Sequence, residues 1–135
     1  MSQPNRPPVN QAVLEELLTT RNSKWTATVV LHLRHETLRF SELQREIGGI
    51  SQKALTSSLR ALERDGFVSR TSYATIPPRV DYALTDLGTE ALKAFEAFEA
   101  FAARHWYRVL EARQLFDARD ADQLEPPVLR ISTGR

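Results

Sequence analysis

One segment, Phe40–Leu84, restricts the fold of this 135-residue chain more than any other, because two short amphipathic stretches meet there at a pair of glycines. Ser41 and Gln44 have the spacing of a capping box, which predicts a short helix that begins at Glu42. Gly48-Gly49 ends that helix, since paired glycines supply the backbone freedom that a tight turn between two helices requires. The segment therefore opens as helix, turn and helix.

The second helix of this segment has two chemically different faces. It is predicted to follow Ser51, a favoured capping residue, and to run to about Asp65, where Gly66 ends it. At 100° per residue its leucines fall on one side and should pack inward. The opposite side presents only cationic and hydroxyl groups, at Lys53, Thr56, Ser57, Arg60 and Arg64. Such a face suits phosphates and base edges, although most charged helix faces are simply solvated.

A hairpin follows the two helices. Residues 67–73 and 79–84 are predicted to form antiparallel strands, because polar and apolar residues alternate in the second of them. Residues 37–39 can add a short third strand to this sheet. Helix, turn, helix and hairpin in this order are the layout of a winged helix-turn-helix, so the predicted fold class is mainly α with a small antiparallel β wing.

The loop of this wing, ATIPP, holds two prolines that stiffen its tip in an extended form. Arg70 and Arg79 flank the loop, and Thr75 lies at its tip. A rigid loop with arginines beside it can lie in a minor groove or against phosphates. Alternatively, the hairpin is a plain one whose arginines pair with Asp81 or Asp65.

The remaining chain supplies flanking helices. Asn10 can cap a first helix over residues 11–18, and residues 24–34 are apolar enough all round to form the core helix. Thr85 can cap a last helix that ends near residue 116. Residues 10–116 are therefore predicted as one DNA-binding and dimerisation domain, between a disordered arm at 1–9 and a disordered tail at 117–135.

The last helix carries a long aromatic stripe. Thirty helical residues span about 45 Å, more than a small winged-helix module can cover alone. An aromatic surface of that length left in water would promote aggregation, so burial against a second copy of the chain, beside the first helix, is predicted. The predicted dimer interface contains Leu14, Leu17, Leu18, Phe95, Phe98, Phe101, Ala102, His105 and Trp106.

Two groups of residues could form small-molecule sites, and each also has a simpler interpretation. Aromatic residues near the dimer seam can line a pocket for an apolar or aromatic effector, or they can pack without a cavity; these are Trp25, Phe95, Phe98, Phe101 and Trp106. His32, His35 and Glu36 could ligate zinc, but a histidine at a helix C-terminus is also favoured by the helix dipole. We predict no metal and no cofactor.

Composition excludes several other classes. The formal charge is only +1, yet residues 24–85 hold nine Lys/Arg against six Asp/Glu, while residues 86–135 hold seven against nine. The bases therefore concentrate modestly where the helix-turn-helix lies. No cysteine is present, which excludes disulfides and a thiol redox sensor in these residues. Without a leader, a membrane span or a recognisable catalytic motif, we predict a cytoplasmic protein that is not an enzyme.

Five sequence blocks together resemble the HxlR-type family of bacterial transcriptional regulators, within the MarR-like superfamily. They are KWT at 24–26, RFSEL at 39–43, GIS at 49–51, LTSSLRALERDGFVSR at 55–70 and PPRVDYALTDLG at 77–88, in family order and spacing. The resemblance covers roughly residues 12–106. It implies a winged-helix homodimer that uses its first and last helices as the interface and binds pseudo-palindromic operator DNA, with repression as the expected mode of regulation.

The resemblance also implies roles for individual residues. Lys53, Thr56, Ser57 and Arg60 fall on the recognition helix of the family, and Arg79 falls on its wing. The chain departs from the family where many members carry a cysteine before the first helix, and at Asn22-Ser23, where a Gly-Gly pair is common. Taken together, the predicted DNA-binding residues are Ser51, Gln52, Lys53, Thr56, Ser57, Arg60, Arg64, Arg70, Thr75 and Arg79. The alternative is a winged-helix module that binds a protein partner and no DNA.

Overall fold

The structure is a computed structural model that describes residues 11–18 and 23–124, and the predicted fold class is confirmed. Its elements are α1 (Gln11–Leu18), α2 (Ser23–His32), β1 (Leu38–Arg39), α3 (Phe40–Ile47), α4 (Gln52–Arg64), β2 (Val68–Tyr73), β3 (Arg79–Leu84) and α5 (Asp86–Leu124). They form two compact units, Met1–Glu96 and Ala97–Arg135. No helix in the described ranges is long and apolar enough to cross a bilayer.

The turn between α3 and α4 has the predicted chemistry. Gly48 and Gly49 have φ values of 65° and 68°, in the left-handed region that favours glycine. The Ser51 hydroxyl oxygen accepts a hydrogen bond from the backbone N–H of Ala54 at 3.1 Å, which confirms the predicted cap of α4. The geometry of the turn therefore follows from residues that lie within it.

The predicted start of α3 was wrong. The helix begins at Phe40 and its capping position is Arg39, which makes no side-chain capping bond, so Ser41 already lies inside the helix. The reason is that Leu38 and Arg39 pair with β3, where they lie opposite Tyr82 and Asp81. The chain passes directly from this strand into the helix, two residues earlier than the capping pattern indicates.

The wing is a three-stranded antiparallel sheet in the order β1-β3-β2. Val68 lies opposite Leu84, and the pairing of β2 with β3 continues to Tyr73 opposite Arg79. The short additional strand predicted at residues 37–39 is confirmed as β1. β3 pairs with β2 on one side and with β1 on the other, and β1 leads directly into α3. The hairpin is therefore joined to the helical part of the domain at its base.

The hydrophobic core of the first unit holds α4 by its apolar face. Leu55, Leu59 and Leu62 are buried, as their spacing predicted, and burial of each contributes about 1.5–3 kcal/mol. The buried hydrophobic residues are Val29, Val30, Leu33, Leu38, Leu43, Ile50, Leu55, Leu59, Leu62, Val68, Tyr82 and Leu92. α2 and the sheet therefore pack against the apolar face of α4 and leave its opposite face exposed.

Hydrogen bonds join the start of α5 to the turn between α4 and β2. The Thr85 N–H donates to the Phe67 carbonyl at 3.1 Å, and the Thr85 hydroxyl donates to the Gly66 carbonyl. That hydroxyl oxygen also accepts from the Gly88 N–H at 3.0 Å, which confirms the predicted cap. A Cβ at Gly88 would collide with the carbonyl oxygen of Phe67, so only glycine fits this close approach.

The last helix is longer than predicted. It runs to Leu124, so the prediction of disorder was wrong for residues 117–124. This stretch, DARDADQL, is charged but contains neither glycine nor proline, so no residue in it interrupts the helix. The predicted arm at 1–9, the Asn10 cap and residues 125–135 lie outside the described residues.

Ser58 offers a test of packing in α4. Its side chain is fully buried, and its hydroxyl oxygen has no hydrogen-bond partner among the described residues. An unsatisfied buried polar group costs about 1–3 kcal/mol. We therefore expect Ser58→Ala to keep or raise the free energy of unfolding, by up to about 1–2 kcal/mol, in urea melts. A large loss of stability would show that the hydroxyl has a partner in solution.

Candidate nucleic-acid interface

The outer face of α4 brings the predicted contact residues together. The residues that line one open hollow on this face are Gln52, Lys53, Thr56, Ser57 and Arg60. All five are exposed, while the leucines of the same helix are buried on the opposite side. The 3.6-residue period of the helix therefore gathers cationic, hydroxyl and amide side chains on one surface. Ser51 and Arg64 are also exposed, but neither lines this hollow.

A second hollow joins α4 to the wing sheet. It has a volume of about 400 Å³ and is shared by Arg60 and Thr56 of α4 with Arg70 of β2. Glu63 lines it as well and adds a carboxylate to the two arginines. It was not among the predicted site residues. Arg60 alone among the arginines lines both hollows, which places it at the junction of the helix face and the wing.

Arg79 is held by an acidic neighbour on its own strand. Its Nε and Nη2 donate to Oδ1 and Oδ2 of Asp81, each at 2.9 Å, so the arginine pairing left open by the sequence occurs with this residue. The guanidinium also lies 5.3 Å from the ring centroid of Tyr73. Asp81 is buried although the alternation of the strand had placed it outward. The arginine thus bonds both oxygens of the carboxylate, and the aromatic ring lies against the arginine.

The ion pair between Arg79 and Asp81 shifts the pKa values of both residues. The hydrogen bonds from Arg79 hold the pKa of the Asp81 carboxyl below its ordinary value, and they outweigh the burial of that carboxyl, which acts in the opposite direction. The same bonds raise the pKa of the Arg79 guanidinium. Arg79 is therefore a permanent, oriented cation beside the loop of the wing.

Stability in acid should report this pair. Because the folded-state pKa of Asp81 lies below the unfolded value of about 3.9, its stabilising contribution is present above about pH 4 and is lost as the pH falls through the folded value. We expect the melting temperature of wild-type protein to fall more steeply in acid than that of Asp81→Asn. Thermal melts from about pH 7 to about pH 2 measure the difference, and parallel curves would contradict it.

The tip of the wing is braced by its own residues. The Thr75 hydroxyl donates to the carbonyl of Pro77 at 2.9 Å, across a turn that contains the cis Ile76-Pro77 peptide. Thr75 is exposed, as its predicted role requires, but its hydroxyl hydrogen is engaged within the turn. Ile76 is fully exposed between these residues. Ile76 was not among the predicted site residues, although the sequence signal, a lone branched apolar residue before two prolines, lies in the loop.

Each unit exposes some of the predicted dimer residues. In the first unit Leu17 is half-exposed, and Phe95 packs partly against the core of its own chain. In the second unit large parts of Phe98, Phe101 and Trp106 face solvent, whereas Ala102 and His105 are partly covered. The helical placement of Leu14 and Leu18 is described, but their side chains lie outside the described residues. Whether a second copy covers this face stays a prediction.

Rings along α5 are arranged as a continuous apolar strip. The Phe98 and Phe101 centroids are 6.1 Å apart, and the Phe101 and His105 centroids are 5.1 Å apart. The Nδ1 atom of His105 is buried with no hydrogen-bond partner among the described residues. Nearby, Arg113 lies 5.2 Å from the Trp106 ring. A histidine with an unsatisfied nitrogen in this strip is a candidate for a hydrogen bond across an interface.

The predicted effector pocket has only a partial counterpart. In the first unit a cavity of about 170 Å³ is lined by Leu17, Thr26, Ala61, Leu62, Asp65, Phe67, Ala91, Ala94 and Phe95. Phe95 belongs to the predicted pocket, whereas Trp25 packs against the hydrophobic core. Elsewhere, the His32 ring Nδ1 lies 2.8 Å from the Thr28 carbonyl. Within the described ranges, no three metal-ligating side chains are grouped.

Comparison with known proteins agrees with this architecture. The sequence model of the HxlR-like helix-turn-helix family matches residues 21–112. The uncharacterized HTH-type transcriptional regulator YtfH of Escherichia coli (strain K12) is 40% identical over 103 residues, which make up 76% of this chain and 82% of that protein.

Two solved structures extend the comparison. The transcriptional regulator ytfH from Salmonella typhimurium is 40% identical, with a TM-score of 0.68 over 75% of this chain and 90% of that chain. The redox regulator HypR in its oxidized form is 32% identical, with a TM-score of 0.63 over 68% of this chain and 95% of that chain. No cysteine thiol can act as a sensor in the present 135 residues, which contain no cysteine.

Proposed function

The chain belongs to the HxlR-like helix-turn-helix family, and on that premise we propose that it is a homodimeric repressor that binds pseudo-palindromic operator DNA. That it is a transcriptional regulator of the helix-turn-helix type follows from the family and its relatives. The proposal adds the dimer, the symmetric operator, repression and action in the cytoplasm. We propose no enzymatic activity for it.

The observation that carries the proposal is the exposed outer face of α4. Five of its side chains converge on one hollow without an acidic member, and buried leucines fix the helix from behind. In our proposal α4 enters the major groove, where Arg60 and Gln52 can reach base edges and Lys53 can reach a phosphate. Ser51, Thr56, Ser57 and Arg64 then contact the backbone or neighbouring bases.

The wing supplies a second contact in this proposal. Arg70 and Arg79 lie along the two paired strands, and the fork to Asp81 orients the second of these arginines before DNA arrives. Pre-orientation reduces the conformational entropy lost on binding. Thr75, at the tip of the wing, is proposed to contact the DNA backbone as well. Phosphate contacts of this kind fix the register of α4 without reading sequence themselves.

Symmetry sets the expected operator. If the apolar strip of α5 and the exposed part of α1 are buried between two copies, a two-fold axis relates the two α4 helices. Half-sites should then lie about 34 Å apart, or a multiple of that distance, in an inverted repeat. A dimer bound across a promoter competes with polymerase for the same DNA, which is the proposed basis of repression.

The test is fluorescence anisotropy of the purified protein with its own upstream intergenic DNA, scrambled duplex as competitor, and a salt series. Binding with a Kd of about 10 nM or tighter that survives the competitor, with a steep salt dependence, supports the proposal. Equal, weak binding to both duplexes would count against this operator. No binding to any duplex even at low salt would favour the alternative, a module that binds a protein partner.

A further inference from the structure

We propose that Ile76 at the tip of the wing enters the minor groove and makes an apolar contact that selects A·T over G·C pairs beneath it. The inference rests on the proposed function and adds a residue that reads sequence outside the major groove. Ile76 is fully exposed, on a turn that the hydrogen bond between its two neighbours restrains.

The turn presents this side chain in a defined position. The two strands remain paired up to Tyr73 opposite Arg79, so the loop spans only residues 74–78. Within it the Thr75 hydroxyl is bonded to the Pro77 carbonyl, and two prolines restrict the backbone on the far side. A turn whose backbone is restrained in this way loses little backbone freedom when its tip inserts into a groove. The wing therefore has the form of a short apolar wedge.

The reach of the wing matches the spacing of the grooves. Arg70 lines the hollow that contains Arg60, so this point of the wing lies beside the helix proposed for the major groove. Ile76 is six residues further along, a distance of at most about 20 Å in extended chain. The neighbouring minor groove is half a turn away, about 17 Å along the duplex axis. The tip can therefore cross one phosphate backbone and reach it.

The chemistry of the minor groove then determines the preference. A G·C pair places the amino group of guanine on the groove floor, where A·T pairs present only acceptors. Isoleucine has no acceptor for that donor, so a G·C pair under Ile76 leaves the amino group buried and unpaired. Narrow A·T tracts also strengthen the negative potential that attracts Arg79. Both effects favour A·T pairs at the wing.

Inosine separates this contact from every major-groove contact, because an I·C pair matches G·C in the major groove but lacks the amino group in the minor groove. Each A·T pair flanking the half-sites is replaced in turn by G·C and by I·C, and anisotropy is measured with full-length protein. We expect G·C to weaken wild-type binding about tenfold at one or two positions in each flank, and I·C to restore it.

The matched variant is Ile76→Ser, which removes the apolar contact from a fully exposed position and should leave the thermal melt unchanged. We expect its G·C-to-I·C ratio to fall below about twofold, with the salt dependence of binding unaltered because no phosphate contact is lost. The inference alone would be overturned if the variant kept the wild-type ratio. It would also be overturned if wild-type protein bound its operator but bound the G·C and I·C duplexes equally well. Absence of duplex binding by wild type would overturn the proposed function with it.

Discussion

Phe98→Asp is expected to convert the protein from a dimer into a monomer. Phe98 is 71% exposed in the single chain, so its replacement removes little packing within that chain. In the proposed dimer the same position lies within the buried apolar strip, beside Phe101. A carboxylate buried there without a partner would oppose association strongly. Loss of the dimer also separates the two half-site contacts.

Sedimentation velocity measures the first effect and operator binding the second. The mass should fall from twice 15.4 kDa to 15.4 kDa, and operator affinity should fall by about 100-fold or more, because two linked contacts become two independent ones. Tyr107→Asp is the control: Tyr107 is 66% exposed and lies nine residues further along, on the opposite side of α5. An unchanged mass for Phe98→Asp would refute the proposed interface.

Local pattern was sufficient for the elements that bury a regular face. The leucine spacing of α4 predicted which side chains pack inward, and the cap at Ser51 was correct because its partner lies only three residues away. The start of α3 failed for the opposite reason. It depends on the pairing of Leu38 and Arg39 with β3, more than 40 residues later, which no capping pattern contains.

The candidate site divides in the same way. One helix face follows from periodicity, so the residues of the first hollow were all predicted. The second hollow requires β2 to lie against α4, and for that reason Glu63 was not connected with Arg70. Asp81 is two residues from Arg79, hence on the same side of the strand, and the pairing was foreseeable. Its burial was not, because burial depends on long-range strand pairing: β3 is the central strand of the sheet, and Asp81 lies between Arg39 and Thr71.

The position of Arg60 in both hollows explains why its loss should be the most costly single truncation on the DNA-binding face. The side chain is exposed, so Arg60→Ala should leave folding unchanged. In the groove its guanidinium can donate two parallel hydrogen bonds to a guanine or to a phosphate. Removal of such a contact costs about 1–3 kcal/mol, which is about a 5- to 150-fold loss of affinity.

The pattern of the loss across operator variants identifies what Arg60 contacts. If the arginine reads a base, discrimination at one position of each half-site should relax while the other positions keep theirs. If it contacts a phosphate, the loss should be uniform across sequences and the salt slope should fall by about one. Lys93→Ala is the control, since it removes one exposed cation from α5, where Lys93 pairs with Glu90. A loss no greater than that of Lys93→Ala would place Arg60 outside the interface, and with it the central contact of the proposed recognition helix.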